Sequence, residues 1–153
     1  MNPGAGHKTD IFEQALKLEV EGYNFYSQCA ENTENPLNEK LFRQLADDEK
    51  THYNRFTRLY QEHDLTSYER FQMGYKGGYF NSRVFGDVPD EKLLDSLSDR
   101  EVIEYAINAE KRSISLYKEL MMNELNPEAA LAIKKIMGEE EKHLASLREV
   151  LDG

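Results

Sequence analysis

Two stretches of the chain, DDEKTHYN and GEEEKHLA, place a glutamate three residues before a histidine: Glu49 with His52, and Glu140 with His143. Residues three apart share one face of a helix. A carboxylate beside an imidazole is a donor pair that suits iron or manganese. E-x-x-H alone is a weak signal in a chain this rich in glutamate. It gains weight from two further glutamates, Glu19 and Glu110, that also interrupt apolar stripes. A buried carboxylate is costly unless it is paired or coordinates a metal. Four of them in one core repel one another, so without cations several must hold protons. Two divalent cations cancel the four charges. The six residues read as the donors of a dinuclear metal site.

The segments that carry them read as four long helices. The first is expected to begin near Thr9 or Asp10, with Glu13 completing a capping box. Residues 1–9 ahead of it read as a flexible tail, and His7 as part of that tail. Its apolar stripe is Phe12, Ala15, Leu16, Tyr23, Tyr26 and Ala30, at helical spacing. Asn35-Pro36 opens the second helix as an N-cap with proline at the first helical position. Phe42, Leu45, Tyr53 and Phe56 face inward there. Ser98 and Glu101 form a capping box for the third, whose stripe is Ile103, Ala106, Ile107, Ile114 and Tyr117. Asn126-Pro127 opens the fourth, with Ile133, Ile136, Leu144 and Leu147 inward. The pattern predicts an all-α four-helix bundle, one domain over 10–153.

Between the second and third helices lie about 35 residues, roughly 63–97, too many for a tight turn. They suit a crossover that joins parallel helices, with a short helix over 90–96. Its aromatics, including Tyr68, Phe71, Tyr75 and Phe80, predict packing against the bundle or a second copy.

A shift of 91 residues aligns the chain with itself from residue 11 to 60 without a gap. Nine of fifty positions are identical. They include Glu19 on Glu110, Tyr26 on Tyr117, Asn35-Pro36 on Asn126-Pro127, Glu49 on Glu140, and His52 on His143. Two hairpins of one pattern imply an approximate internal two-fold.

Around the six donors stand residues with two readings. A histidine ligand usually donates its second N–H to an acceptor. Asp48 could orient His143 and Glu139 could orient His52, or both are surface charge. Tyr26 and Tyr117 lie two turns beyond Glu19 and Glu110, and as core tyrosines they need hydrogen-bond partners in any case.

The totals narrow the function. The chain has 153 residues, 31% of them charged, and a net charge of -10. That acidity argues against nucleic acid or an anionic membrane as partner. One cysteine, Cys29, allows no intrachain disulfide and no cysteine-based metal site. No long apolar run or signal-peptide core appears, which predicts a cytoplasmic protein.

At ALKLEVEGYNFY (15–26), LFRQLADDEKTH (41–52), AINAEKRSISLY (106–117) and IKKIMGEEEKH (133–143), the chain resembles the rubrerythrin-like group of the ferritin-like diiron-carboxylate superfamily. The resemblance implies a ferritin-like bundle holding two iron ions, with manganese or zinc as substitutes. It implies Glu19 and Glu110 as terminal ligands, Glu49 and Glu140 as bridging ones, and His52 and His143 as nitrogen ligands. Two features depart from rubrerythrins proper. The four cysteines of a rubredoxin domain are absent. Ser113 stands where an extra glutamate is usual and both histidines are kept, which is closer to bacterioferritin-type sites. The implied activity is reduction of peroxide or dioxygen by a diferrous site, fed by a separate electron-donor protein. Iron oxidation by a ferroxidase, and a metal-stabilised interaction module without turnover, are the alternatives. A homodimer is expected from the aromatic crossover and the internal two-fold.

Overall fold

Asn35 and Asn126 each stand before a proline, and each closes the exposed start of a helix. Asn35 Oδ1 accepts from the backbone N–H of Leu37 at 2.9 Å and of Asn38 at 3.2 Å. Asn126 Oδ1 accepts from Glu128 at 2.9 Å and Ala129 at 3.1 Å. The proline that follows lacks an N–H that would have had no partner there. Ser98 Oγ accepts from the Glu101 N–H at 3.1 Å, and Glu101 Oε1 accepts from the Ser98 N–H at 3.0 Å. Local chemistry thus sets three helix starts.

The computed structural model describes residues 3–63, 96–124 and 126–153, with side chains from residue 13 to 59 and from 96 onward. Among the described residues four long helices stand: α1 (Pro3–Asn32), α2 (Pro36–His63), α3 (Asp99–Asn123) and α4 (Pro127–Asp152). No strand occurs among the described residues. The helix over Pro3–Asn32 corrects the expected tail over 1–9 and the start at Thr9 or Asp10. Nucleating a helix is the costly step, while each added residue gains a hydrogen bond. Once packing holds the body of α1, the preceding turns can join it, and Pro3 suits a first turn. The aromatic crossover and the short helix expected at 90–96 fall almost wholly outside the described residues.

α1 packs on α2 and on α3, and α4 packs on α3 and meets α2. Thr33 Oγ1 and Asn38 Nδ2 both donate to Asp99 Oδ2, at 3.1 and 3.3 Å. The start of α3 is therefore tied to the α1–α2 turn. α2 and α3 run parallel, and the α3–α4 turn lies at the opposite end. This is the ferritin-like four-helix arrangement, with a two-fold across the bundle that matches the 91-residue repeat.

Leu16, Phe42, Leu45, Phe56, Ile103, Ile133 and Ile136 are fully buried and fill the layers on either side of mid-bundle. Among the described side chains, four stripe positions are not core. Tyr23 is 37% exposed, and Tyr53, Ile114 and Leu144 are half-buried. These are two repeat-related pairs. Each lies one residue after a histidine or four after a glutamate, and the helical twist carries them to the flank of the stripe. No helix among the described residues is long and apolar enough to cross a membrane.

Candidate metal centre

At mid-bundle the apolar layers are interrupted by carboxylates. Glu19 and Glu140 are 0% exposed, Glu110 1% and Glu49 2%, with His52 at 0% and His143 at 5%. One comes from α1, one from α3, and an E-x-x-H pair from each of α2 and α4. Two groups of donor atoms converge, each within 4.8 Å of one another: Glu19, Glu49, His52 and Glu140, then Glu49, Glu110, Glu140 and His143. Glu49 and Glu140 belong to both.

Each of the six carries a buried oxygen or nitrogen that makes no hydrogen bond: Glu19 Oε2, Glu49 Oε1, His52 Nδ1, Glu110 Oε2, both oxygens of Glu140, and His143 Nδ1. Buried polar atoms are ordinarily satisfied, so such a cluster needs an explanation. His52 Nδ1 lies 2.8 Å from Glu140 Oε1 and 3.5 Å from Glu19 Oε2. His143 Nδ1 lies 3.2 Å from Glu49 Oε1, 3.5 Å from Glu140 Oε1 and 3.6 Å from Glu110 Oε1. The inner atoms of all six thus converge on shared points. The donor set and its geometry fit two cations.

The outer atoms are held. His52 Nε2 sits 2.5 Å from Glu139 Oε2, and His143 Nε2 sits 3.0 Å from Asp48 Oδ2. A carboxylate can only accept, so each Nε2 carries the proton and each Nδ1 faces inward. The Tyr26 hydroxyl donates to Glu110 Oε1 at 2.7 Å, and the Tyr117 hydroxyl donates to Glu19 Oε1. All four supports cross between the two hairpins, and the repeat exchanges them in pairs. Tyr26, Tyr117, Asp48 and Glu139 are thus in contact with the six.

Three further residues support the site, and one of them, Gln44, stands four before Asp48, a spacing that a helix alone makes a pair. Arg55 Nη1 donates to Glu139 at 3.2 and 3.3 Å, and Gln44 Nε2 donates to Asp48 Oδ1 at 3.1 Å. Gly22 is the third: a Cβ there would stand 2.9 Å from Glu49 Oε2. Its signal was available, because glycine in a helix interior costs about 1 kcal/mol against alanine and wants a reason.

Burial, and then the charges of Glu140, Glu19 and Glu110, hold the Glu49 carboxyl well above its ordinary range. Burial and the Glu140 charge push Glu110 up to about 8, against the opposing pull of His143. Burial alone would lower the histidines. The carboxylates around them outweigh it, raising His52 to about 11 through Glu140 and Glu19, and His143 to about 9 through Glu110 and Glu140. Protons offset the crowded negative charge, a task cations perform as well. Cys29 stands apart, its thiol pushed up to about 12 by burial and the Asp99 charge.

The family model described as Rubrerythrin matches residues 10–151. No curated protein matches the chain. Among solved structures, a crystal structure described as that of a ferritin-like diiron-carboxylate protein from Thermotoga maritima is similar, at 30% identity and TM-score 0.73. The match covers 95% of this chain and 94% of that one. With nearly the whole bundle matched and the carboxylate–histidine core inside the match, the chain belongs to the rubrerythrin family.

Proposed function

We propose that the bundle holds two iron ions and that the reduced pair delivers two electrons to hydrogen peroxide. The observation that carries this is the pair of donor groups that share Glu49 and Glu140. Two carboxylates common to both groups suit two cations side by side. A diferrous pair held by these residues would supply the two electrons that turn one peroxide and two protons into two waters, whereas dioxygen needs four.

The chain's own residues supply the frame. Tyr117 fixes Glu19 and Tyr26 fixes Glu110. Burial and the nearby carboxylate charges raise both phenols well above their ordinary value, so they keep their protons and remain donors. Glu139 and Asp48 hold the imidazoles with Nδ1 inward. The single cysteine leaves no rubredoxin-like centre in this sequence. The electrons then come from a separate donor protein in the cytoplasm.

The test is anaerobic iron loading followed by rapid mixing with equal concentrations of peroxide or dioxygen. Two iron equivalents are expected per chain, with loss of stoichiometric binding when Glu49→Ala and Glu140→Ala are combined. Faster oxidation by peroxide is expected. Oxidation by dioxygen at equal or greater speed would instead support iron oxidation as the function. That second reading is favoured by both histidines being present with the buried Ser113 three residues after Glu110. A reduced form stable to both oxidants would point to the metal-stabilised module.

A further inference from the structure

The internal two-fold carries each candidate donor onto its counterpart, but the residues next out from the donors depart from it. Glu139 accepts from Arg55 Nη1 through both oxygens, at 3.2 and 3.3 Å, while its Oε2 lies 2.5 Å from His52 Nε2. Arg55 and His52 stand on α2 and Glu139 on α4, so this bridge ties the two helices together at the imidazole. Shifted by 91 residues, Arg55 becomes Ser146, whose short side chain cannot make the same span. On that side Asp48 lies 3.0 Å from His143 Nε2 and is itself held by Gln44, one turn back on the same helix. The Gln44 contact steadies Asp48 on α2 and adds no second tie across the bundle.

We propose that Arg55 is a positioning residue that makes the two metal positions unequal: by holding Glu139 against His52 it fixes the ion of the Glu19–His52 group, and the ion of the Glu110–His143 group is the one that exchanges with solution. This rests on the metal-centre reading above. A charge-assisted contact to both oxygens of a carboxylate restrains its rotation, so Glu139 holds the imidazole in one orientation. Solvent divides the two groups the same way. The His52 side chain is 0% exposed and that of His143 6%. His143 lines a cavity of about 290 Å³ between α2 and α4. Arg55 and Lys142 stand in its wall with Asp48 and Glu139, so its charges balance, and what it brings to His143 is water. Access of water to a ligand helps set how readily a metal is released. A cavity of the same volume between α1 and α2 touches Glu19, but that residue keeps 0% exposure. The positive charge of Arg55 would by itself repel a cation. With its side chain 36% exposed and Glu139 beside it, that charge is screened and matched, which leaves orientation as the larger effect.

The test loads the chain with cobalt(II), whose visible spectrum reports its ligands without turnover, and follows release into excess chelator. Two phases of equal amplitude are expected in the parent, at least about tenfold apart in rate. His143→Ala is expected to abolish the fast phase and His52→Ala the slow one. Arg55→Gln, or Arg55→Met if the first variant folds poorly, is expected to quicken the slow phase by about tenfold and to leave the fast phase within about twofold. Gln44→Ala is expected to act on the fast phase alone. A weakened bundle would quicken both phases together. Equal acceleration in the Arg55 variants would therefore make Arg55 a general brace and overturn the assignment. So would a single phase in the parent, or a slow phase unchanged by Arg55→Gln, while the metal centre stands. A parent chain that takes up no cobalt would overturn the metal-centre reading and this one with it.

Discussion

Gly22 lies one turn beyond Glu19, on the buried face of α1, where a Cβ would come within 2.9 Å of Glu49 Oε2 and 3.3 Å of its Cδ. Helix propensity alone makes Gly22→Ala stabilising by about 1 kcal/mol. The carboxylate it would displace is one of the two shared by both donor groups. The two effects separate by measurement. Metal affinity, read by competition with a chromophoric chelator, is expected to fall by about tenfold or more. The melting temperature of the chelated protein should hold or rise. Unchanged affinity would show that Glu49 yields freely. The repeat counterpart is Ser113, also small and buried. The six candidate donors are legible because glutamate and histidine are conspicuous in an apolar stripe. The parts of Gly22 and Arg55 depend on side chains of another helix, Glu49 for the one and Glu139 for the other, and no spacing within one helix shows them.

Helix starts are decided within a few residues of chain, which is why three of four were legible. Ser98 and Glu101 close α3 reciprocally, at 3.1 and 3.0 Å. Ser98→Ala removes one bond of the box and is expected to cost about 1 kcal/mol. A domain of this size should then melt about 2–4 °C lower, with metal stoichiometry unchanged because the donors sit mid-bundle. An unaltered melting temperature would mean that the neighbouring Asp99, which accepts from Thr33 and Asn38, holds the helix start alone. The start of α1 was misplaced for the opposite reason. Propagation from a packed segment carries the helix past Asp10 to Pro3.

For the whole molecule, the buried charges tie stability to pH. Glu110 is pushed up to about 8 from 4.5 by burial and then the Glu140 charge. His52 rises to about 11 and His143 to about 9, from 6.5, because the surrounding carboxylates outweigh burial. In all three cases the folded chain keeps protons that the unfolded chain has released, so stability falls as pH rises. The window opens near the unfolded carboxyl value and extends through the raised histidines. Metal-stripped protein is expected to melt higher at about pH 5.5 than at about pH 8.5. Added metal should raise the melting temperature most at the higher pH, where it replaces protons. A flat profile in the stripped protein would show that the core carboxylates are not crowded as described. The expected homodimer is checked separately by light scattering at micromolar concentration, where a monomer mass would remove it.

The sequence by itself determined the four-helix pattern, the caps at Asn35, Ser98 and Asn126, the internal repeat, and the choice of Glu19, Glu49, His52, Glu110, Glu140 and His143. Each of these depends on residues close in the chain or on a regular offset. The tertiary structure decided which residues meet across the bundle. It alone shows that Glu49 and Glu140 belong to both candidate groups. Likewise, only the fold shows that Arg55 reaches Glu139, and that Tyr23 and Tyr53 leave the core to wall a cavity. Helical spacing gives the direction of a side chain from its own axis. How far it reaches, and what stands opposite, follow from the angle and separation of the neighbouring helices, which packing sets.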